Sequence, residues 1–315
     1  MPRWLAYTLT CTAIWGVWGL VSAVVAREVP PLATQVVSTL GVVPAALLLF
    51  LSPGWKQGTN LKLGIVLAAL TSVSGTVGNL CMLRALSLEG PVSIVLPVSG
   101  MFPLVTALLA MALLRERLNR VQIVGFLMAA AAIYLTGQAP GASAMDALHG
   151  FRVEALTTPW MFWTFTALAT YGVSAYLQKI TTFYCSNELC TIVFALVWIP
   201  VAIAIYLLVP ELSFKLSTEG WLLSLLFGAL IGIGSLVTFA SYRWGKASVV
   251  TPIIGLYPAL TVLLAVPLLK ETMGTVRAIS VGLALAAGAA LGCESDPPVK
   301  TMDEPQACAV GRQES

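Results

Sequence analysis

The stretch Gly90–Glu116 aligns without a gap on Gly245–Glu271, and about half of the paired positions are identical. The matches include Ser93 with Ser248, Pro97 with Pro252, Gly100 with Gly255, Pro103 with Pro258, Thr106 with Thr261 and Glu116 with Glu271. At nearly the same offset Trp15-Gly16 answers Tyr171-Gly172, Pro44 answers Pro200, Gly64 answers Gly220, and Gly78-Asn79 answers Gly234-Ser235. A chain that repeats itself over this length folds as two like units.

How the two units lie follows from where the charges are absent. Of 315 residues 58% are hydrophobic and only 10% charged, and the charges fall in clusters. Between the clusters lie ten nearly charge-free windows: Trp4–Ala26, Val29–Leu51, Leu63–Leu83, Gly90–Leu114, Val121–Gly137, Ala155–Gln178, Leu189–Pro210, Gly220–Tyr242, Ala247–Leu269 and Ala278–Cys293. Most reach the roughly 20 residues that a helix needs to cross a hydrocarbon core about 30 Å thick. The fifth and tenth are shorter, and they are counterparts in the duplication. Arg3 and Val24-Val25-Ala26 imitate the flanks of a signal peptide, but the window between them is too long, and its copy lies in mid-chain. Five windows per copy is an odd number, so the second copy enters the bilayer with opposite polarity.

Lys and Arg residues orient the whole. With the N-terminus inside, eleven of the 17 fall on the cytoplasmic side and six outside, which places both termini in the cytoplasm. The boundaries expected are 1–137 for the first unit, 138–158 for an external linker, 159–293 for the second unit, and 294–315 for a polar, disordered cytoplasmic tail. A net charge of +3, scattered along the chain, gives no reason to expect a nucleic-acid partner.

Three constellations within the windows carry the candidate chemistry. Pro97, Pro103, Pro252 and Pro258 form two matched pairs, and a proline inside a helix frees a carbonyl four residues earlier. In hydrocarbon such a carbonyl must face protein or a wet cavity, so bent helices lining a polar path are expected. Ser99 lies on this path. Ser72, Thr76 and Asn79 share one helix face, and so do Ser235, Thr238 and Tyr242, with Asn79 and Ser235 as repeat mates. Trp15 and Tyr171 are mates beside glycines, Trp18 sits one turn from Trp15, and Tyr257 precedes Pro258. Trp4, Trp55, Trp160 and Trp221 read instead as an interfacial belt. The solute-facing set expected is therefore Trp15, Trp18, Thr76, Asn79, Ser99, Tyr171, Ser235, Thr238 and Tyr257.

No window holds a charge at its centre, which disfavours phosphorylated cargo. Lys179, Lys246 and Arg84 lie near helix ends, where they can snorkel to water. Glu116 and Glu271 each precede a short helix and read as structural locks on its N-terminal dipole. Six cysteines and one histidine show no metal-ligand spacing, so neither metal nor cofactor is expected. No His pair, Ser/Lys dyad or paired carboxylates lie within the windows, which argues against an enzyme. Glycine and alanine crowd the fifth and tenth windows (Gly125, Gly282, Gly288), so these helices either brace the bundle or form a homodimer seam.

Two motif series complete the reading. Arg84-Ala85-Leu86-Ser87, Gly90-Pro91-Val92-Ser93-Ile94-Val95-x-Pro97, Pro103-x-x-Thr106, Leu113-Leu114-Arg115-Glu116-Arg117-Leu118 and Gln122-x-x-Gly125 resemble the EamA repeat of the drug/metabolite transporter superfamily. The second unit resembles it through Tyr242-Arg243-x-Gly245-Lys246-Ala247-Ser248-Val249-Val250-x-Pro252, Tyr257-Pro258-x-x-Thr261, Lys270-Glu271 and Gly282. It departs by about two extra residues between Glu271 and Gly282. The resemblance implies an all-α membrane protein, with ten transmembrane helices as two inverted five-helix repeats around a central cavity. The expected function is a secondary-type inner-membrane transporter. Its partners are the lipid bilayer and a small neutral or zwitterionic solute (amino-acid, nucleoside or drug-like), moved by alternating access and exported. The alternative is a non-transporting scaffold or receptor that keeps the fold.

Overall fold

A computed structural model of the chain describes residues 1–88, 95, 98–136, 159–268 and 274–292. Pro97, Glu271, the 138–158 linker and the 294–315 tail lie outside the described residues. Every regular element among the described residues is a helix: α1 (Arg3–Glu28), α2 (Pro31–Leu47), two short 3₁₀ turns, α3 (Leu61–Ser87), α4 (Phe102–Leu113), α5 (Arg120–Thr136), α6 (Pro159–Thr181), α7 (Asn187–Leu196), α8 (Trp198–Leu208), α9 (Thr218–Trp244), α10 (Ala247–Ile254), α11 (Tyr257–Leu268) and α12 (Thr275–Gly292).

Polar caps start several of these helices. The Asn60 side chain accepts from Leu63 N at the start of α3, Ser186 accepts from Leu189 N at α7, and Ser217 accepts from Gly220 N at α9. Asn119 and Gln122 form a reciprocal box at α5, with bonds of 2.8 and 3.1 Å. Between the caps the outer surface is apolar, as Leu40, Phe162, Leu207, Leu222 and Leu285 illustrate, all more than half exposed. Six stretches are long and apolar enough to cross a bilayer, namely Arg3–Ser22, Leu32–Leu51, Leu61–Met82, Asn187–Leu208, Thr218–Trp244 and Ala247–Leu268. Three more apolar helices are shorter: Val98–Leu113, Arg120–Leu135 and Ala278–Leu291. α6 has the length but carries Thr164, Thr166, Thr170, Ser174 and Gln178 along its course. The chain is a multi-pass membrane protein.

The duplication in sequence is a two-fold relation in packing. α1 lies against α9 as α6 lies against α3; α1 meets α11 as α6 meets α4; α2 meets α9 as α7 meets α3. α5 with α12, and α4 with α10, pair across the axis. The close approaches repeat as well: a methyl added at Gly78 would sit 2.7 Å from the Tyr171 ring, and one at the mate Gly234 would sit 3.1 Å from the Trp15 ring. The turns at 52–60 and 182–186 meet directly, with Asn60 N donating to Tyr184 O and Ser186 N to Gln57 O. The connection that follows α2 therefore shares one end of the bundle with the connection that follows α6.

The prolines act differently from the expected bends. Pro103 and Pro258 sit at the second position of α4 and α11, where a missing N–H leaves no helical bond unmade. Each copy breaks its helix just ahead of them, with Met101 N donating to Val98 O and, in the other copy, Leu256 N to Ile253 O. Of the expected bend prolines among the described residues, Pro252 is the one that stands in a helix interior, that of α10. Trp4, expected in the interfacial belt, is instead buried against the α10 cluster.

Candidate functional site

The expected residues gather into two clusters that are repeat mates. In the first, Trp15 from α1 donates its Nε1–H to Thr238 Oγ1 of α9 at 3.1 Å. The Thr238 hydroxyl itself donates to the Gly234 carbonyl at 2.7 Å, and the Cys11 thiol packs 3.1 Å from it. Trp18 stands edge-on to Trp15 at 5.3 Å, and it also contacts Phe227 at 5.2 Å and Tyr257 at 6.1 Å. Such edge and tilted contacts are the preferred geometry for aromatic rings. In the second cluster, Tyr171 from α6 donates its hydroxyl to Asn79 Oδ1 of α3 at 2.5 Å, with Met82 Sδ 3.9 Å away. Phe102, at the head of α4, tilts against Tyr171 at 6.1 Å.

The frame is symmetric while the polar edges differ. Trp15 and Tyr171 are mates, but one meets a threonine hydroxyl and the other an amide, since Met82 holds the place of Thr238 in the first copy. Among the described residues four buried side-chain polar atoms lack a partner, and one of them belongs to these clusters. Trp18 Nε1 is buried and has no hydrogen-bond partner, an N–H that costs stability unless something accepts it.

Other expected residues stand apart from this chemistry. Thr76 returns its hydroxyl to Ser72 O of its own helix at 2.9 Å, and Ser72 donates to Phe194 O. Ser99 and Ser235 are buried. Sequence reasoning passed over Cys11, Met82, Phe102 and Phe227 because a thiol, a thioether and phenyl rings read as ordinary core. Spacing points to two of them: Cys11 lies one turn before Trp15, and Met82 one turn after Asn79. A crevice of about 370 Å³ is lined by Val98, Met101, Leu104, Tyr134, Phe165 and Leu168. It contains none of the expected polar residues.

A second set of contacts closes one end of the bundle. Glu116 was expected to cap the helix that follows it. It reaches instead across to the other copy and accepts from Ala247 N (2.9 Å), Ser248 N (2.8 Å) and Ser248 Oγ (2.6 Å) at the start of α10. The helix that follows Glu116, α5, already has its Asn119–Gln122 box. Lys179 does not snorkel to water: it is 8% exposed and donates to the carbonyls of Tyr242 and Gly245 at 2.5 and 2.7 Å. Arg115 adopts a positive φ of 55° to turn the chain so that Glu116 faces α10. That conformation costs a non-glycine residue about 1 kcal/mol or more. R115G is therefore expected to raise the melting temperature by a few degrees, read in a thermal melt of the detergent-solubilised protein.

The EamA-like transporter family model matches residues 2–138 and 158–291. The chain belongs to the EamA-like transporter family. Its two matched segments are the two units whose contacts mirror each other. A solved crystal structure, 19% identical, superposes with a TM-score of 0.74 over 92% of this chain and 96% of the other; at that identity it speaks for the EamA fold alone. No curated protein matches the chain.

Proposed function

We propose that this EamA protein carries small neutral or zwitterionic organic solutes across the inner membrane by alternating access. In this reading ten segments cross the bilayer as two inverted five-helix units, both termini are cytoplasmic, and the direction is export. The observation that carries the proposal is the aromatic and polar pair built twice at the repeat interface, Trp15 with Thr238 and Tyr171 with Asn79. Midplane sites between repeats are where such carriers hold their cargo. Flat rings with a few hydrogen-bonding groups suit an apolar or aromatic solute that has a polar tip. The buried cation Lys179 is committed to two helix-end carbonyls, which supports cargo without a phosphate. A homodimer seam on α5 and α12 would use their outer faces, Leu127 and Leu285, because Gly125 already packs on Ala290 and Leu291.

The functional test is solute flux into and out of proteoliposomes, over a panel of amino acids, nucleosides and drug-like amines. Saturable flux is expected for at least one class, and a protein that moves none of them while correctly folded supports the scaffold alternative. Trp18→Phe gives a sharper test of the site. It removes the unpartnered N–H together with part of the indole, so the empty protein should melt a few degrees lower than the wild type, and each solute-induced shift is read against the variant's own baseline. Solute affinity should fall about tenfold or more, the loss of one hydrogen bond in a dry site. Thermal shift against the same panel reads both, since a solute at one hundred times its Kd stabilises by about 2.7 kcal/mol. Unchanged affinity in W18F moves the solute away from this cluster.

A further inference from the structure

The turn between α6 and α7 holds two cysteines that the transport reading does not use. Cys185 and Cys190 bring their sulfurs to 2.8 Å, and both residues are buried, 2% and 0% exposed. The fold builds this proximity. Ser186 caps α7 through Leu189 N, and Cys190 N donates back to Ser186 O, so the first turn of the helix folds Cys190 over Cys185. Gly64 of α3 clears the space, since a methyl group there would sit 2.8 Å from the Cys185 sulfur. The Arg243 guanidinium leans over the turn, donating Nε–H to Asn187 Oδ1 at 2.8 Å and Nη2–H to the Cys185 carbonyl.

The repeat shows that the thiols are not needed for this packing. The mates of Gly64, Cys185 and Cys190 are Gly220, Val29 and Thr34, and a methyl group at Gly220 would meet Val29 at 3.0 Å. The same close approach is made once with valine and once with a thiol pair beside a cation.

We propose that Cys185 and Cys190 are an oxidisable pair, closed by hydrogen peroxide to an intramolecular disulfide that staples the first turn of α7. Peroxide is little larger than water and suits a buried pair that a bulky disulfide oxidant cannot reach. The Cys185 sulfur attacks one peroxide oxygen; the O–O bond breaks, and the departing hydroxide takes the thiol proton as water, leaving a sulfenic acid. The Cys190 sulfur then attacks the Cys185 sulfur. The S–O bond breaks, and its hydroxyl leaves with the Cys190 proton as a second water. Two thiols lose two electrons, and one peroxide is reduced to two waters. Cys185 is the attacking member: its hydrogen bond with Cys190 holds its thiol below the ordinary range, and Arg243 adds to this while burial opposes it.

The test uses the full chain in lipid nanodiscs, treated with hydrogen peroxide, denatured, alkylated with N-ethylmaleimide and mapped by peptide mass. The expected result is a Cys185–Cys190 peptide two hydrogens lighter and unlabelled, while the Cys11 and Cys81 peptides take up label. In C190S, dimedone should trap a sulfenic acid on Cys185, and in C185S Cys190 should take none. A wild-type peptide carrying both labels after peroxide overturns the proposal, as does dimedone trapped on Cys190 alone. If either variant fails to fold, the wild-type map decides by itself.

Discussion

Gly228→Ala should destabilise the protein by about 3 kcal/mol, while Gly282→Ala should leave it unchanged or raise its stability by up to about 1 kcal/mol. The chemical change is the same in both, one methyl group on an apolar helix. At Gly228 that methyl would lie 2.0 Å from the Ser38 carbonyl oxygen and 3.0 Å from Val42 N, both backbone atoms of α2. Neither can swing aside as a side chain can, so α2 and α9 must move apart. A second approach in the same crossing is as tight: a methyl at Gly41 would come within 2.2 Å of the Leu225 carbonyl. Small residues at such crossings let two helix backbones touch, and packing of that kind holds helices together where the solvent is itself apolar. At Gly282 nothing lies within 4 Å, and alanine gains only its better helix propensity. Thermal melts of both variants in one detergent read the difference. A Gly228→Ala protein that melts with the wild type would mean that α2 and α9 do not cross as described.

That contrast also shows how far the sequence could be read. The repeated motif foretold the two-fold packing, because a duplicated pattern dictates duplicated contacts. Trp15 and Tyr171 stand out in the sequence as repeat mates beside glycines, and the structure sets each against a residue of a polar stripe, Thr238 and Asn79. Which glycine is indispensable was not legible: Gly220, Gly228, Gly232 and Gly234 stand within one window, and only the crossing angle of α2 selects Gly228. Lys179 looked free to reach water because periodicity says nothing about the helix end that covers it. Pro103 and Pro258 were read as kinks because a continuous apolar run conceals a break, and the tertiary fold decided that two short helices replace one. Thr76 illustrates the remaining gap, as a hydroxyl on the right face can still be absorbed by its own backbone.

Glu116→Ala should cost about 2 kcal/mol of stability and open the end of the bundle at which α10 begins. α10 is eight residues long, every one of them buried, and its N-cap residue Lys246 makes no side-chain cap. The orphan amides of that first turn are met from outside by the Glu116 carboxylate, which takes Ala247 N, Ser248 N and the Ser248 hydroxyl together. Hydrogen bonds to a charged acceptor contribute about 1.5–3 kcal/mol each when buried, and the half-buried position of Glu116 reduces the sum through solvent screening. Ser248→Ala removes the hydroxyl alone and should cost about 1 kcal/mol. The double variant should fall short of the sum by at least about 0.5 kcal/mol, since both changes remove one shared contact. The carboxylate also joins the end of α4 to the start of α10 across the two copies, so its loss should favour their separation. Cys11 reports that motion: it is fully buried two turns from the start of α1, packed with Val250 and Ile253 of α10. A 2 kcal/mol shift toward the open form corresponds to about a thirtyfold faster reaction of Cys11 with N-ethylmaleimide. A lower melting temperature with no change in Cys11 labelling would make Glu116 a cap of α10 alone, with no part in holding the two copies together.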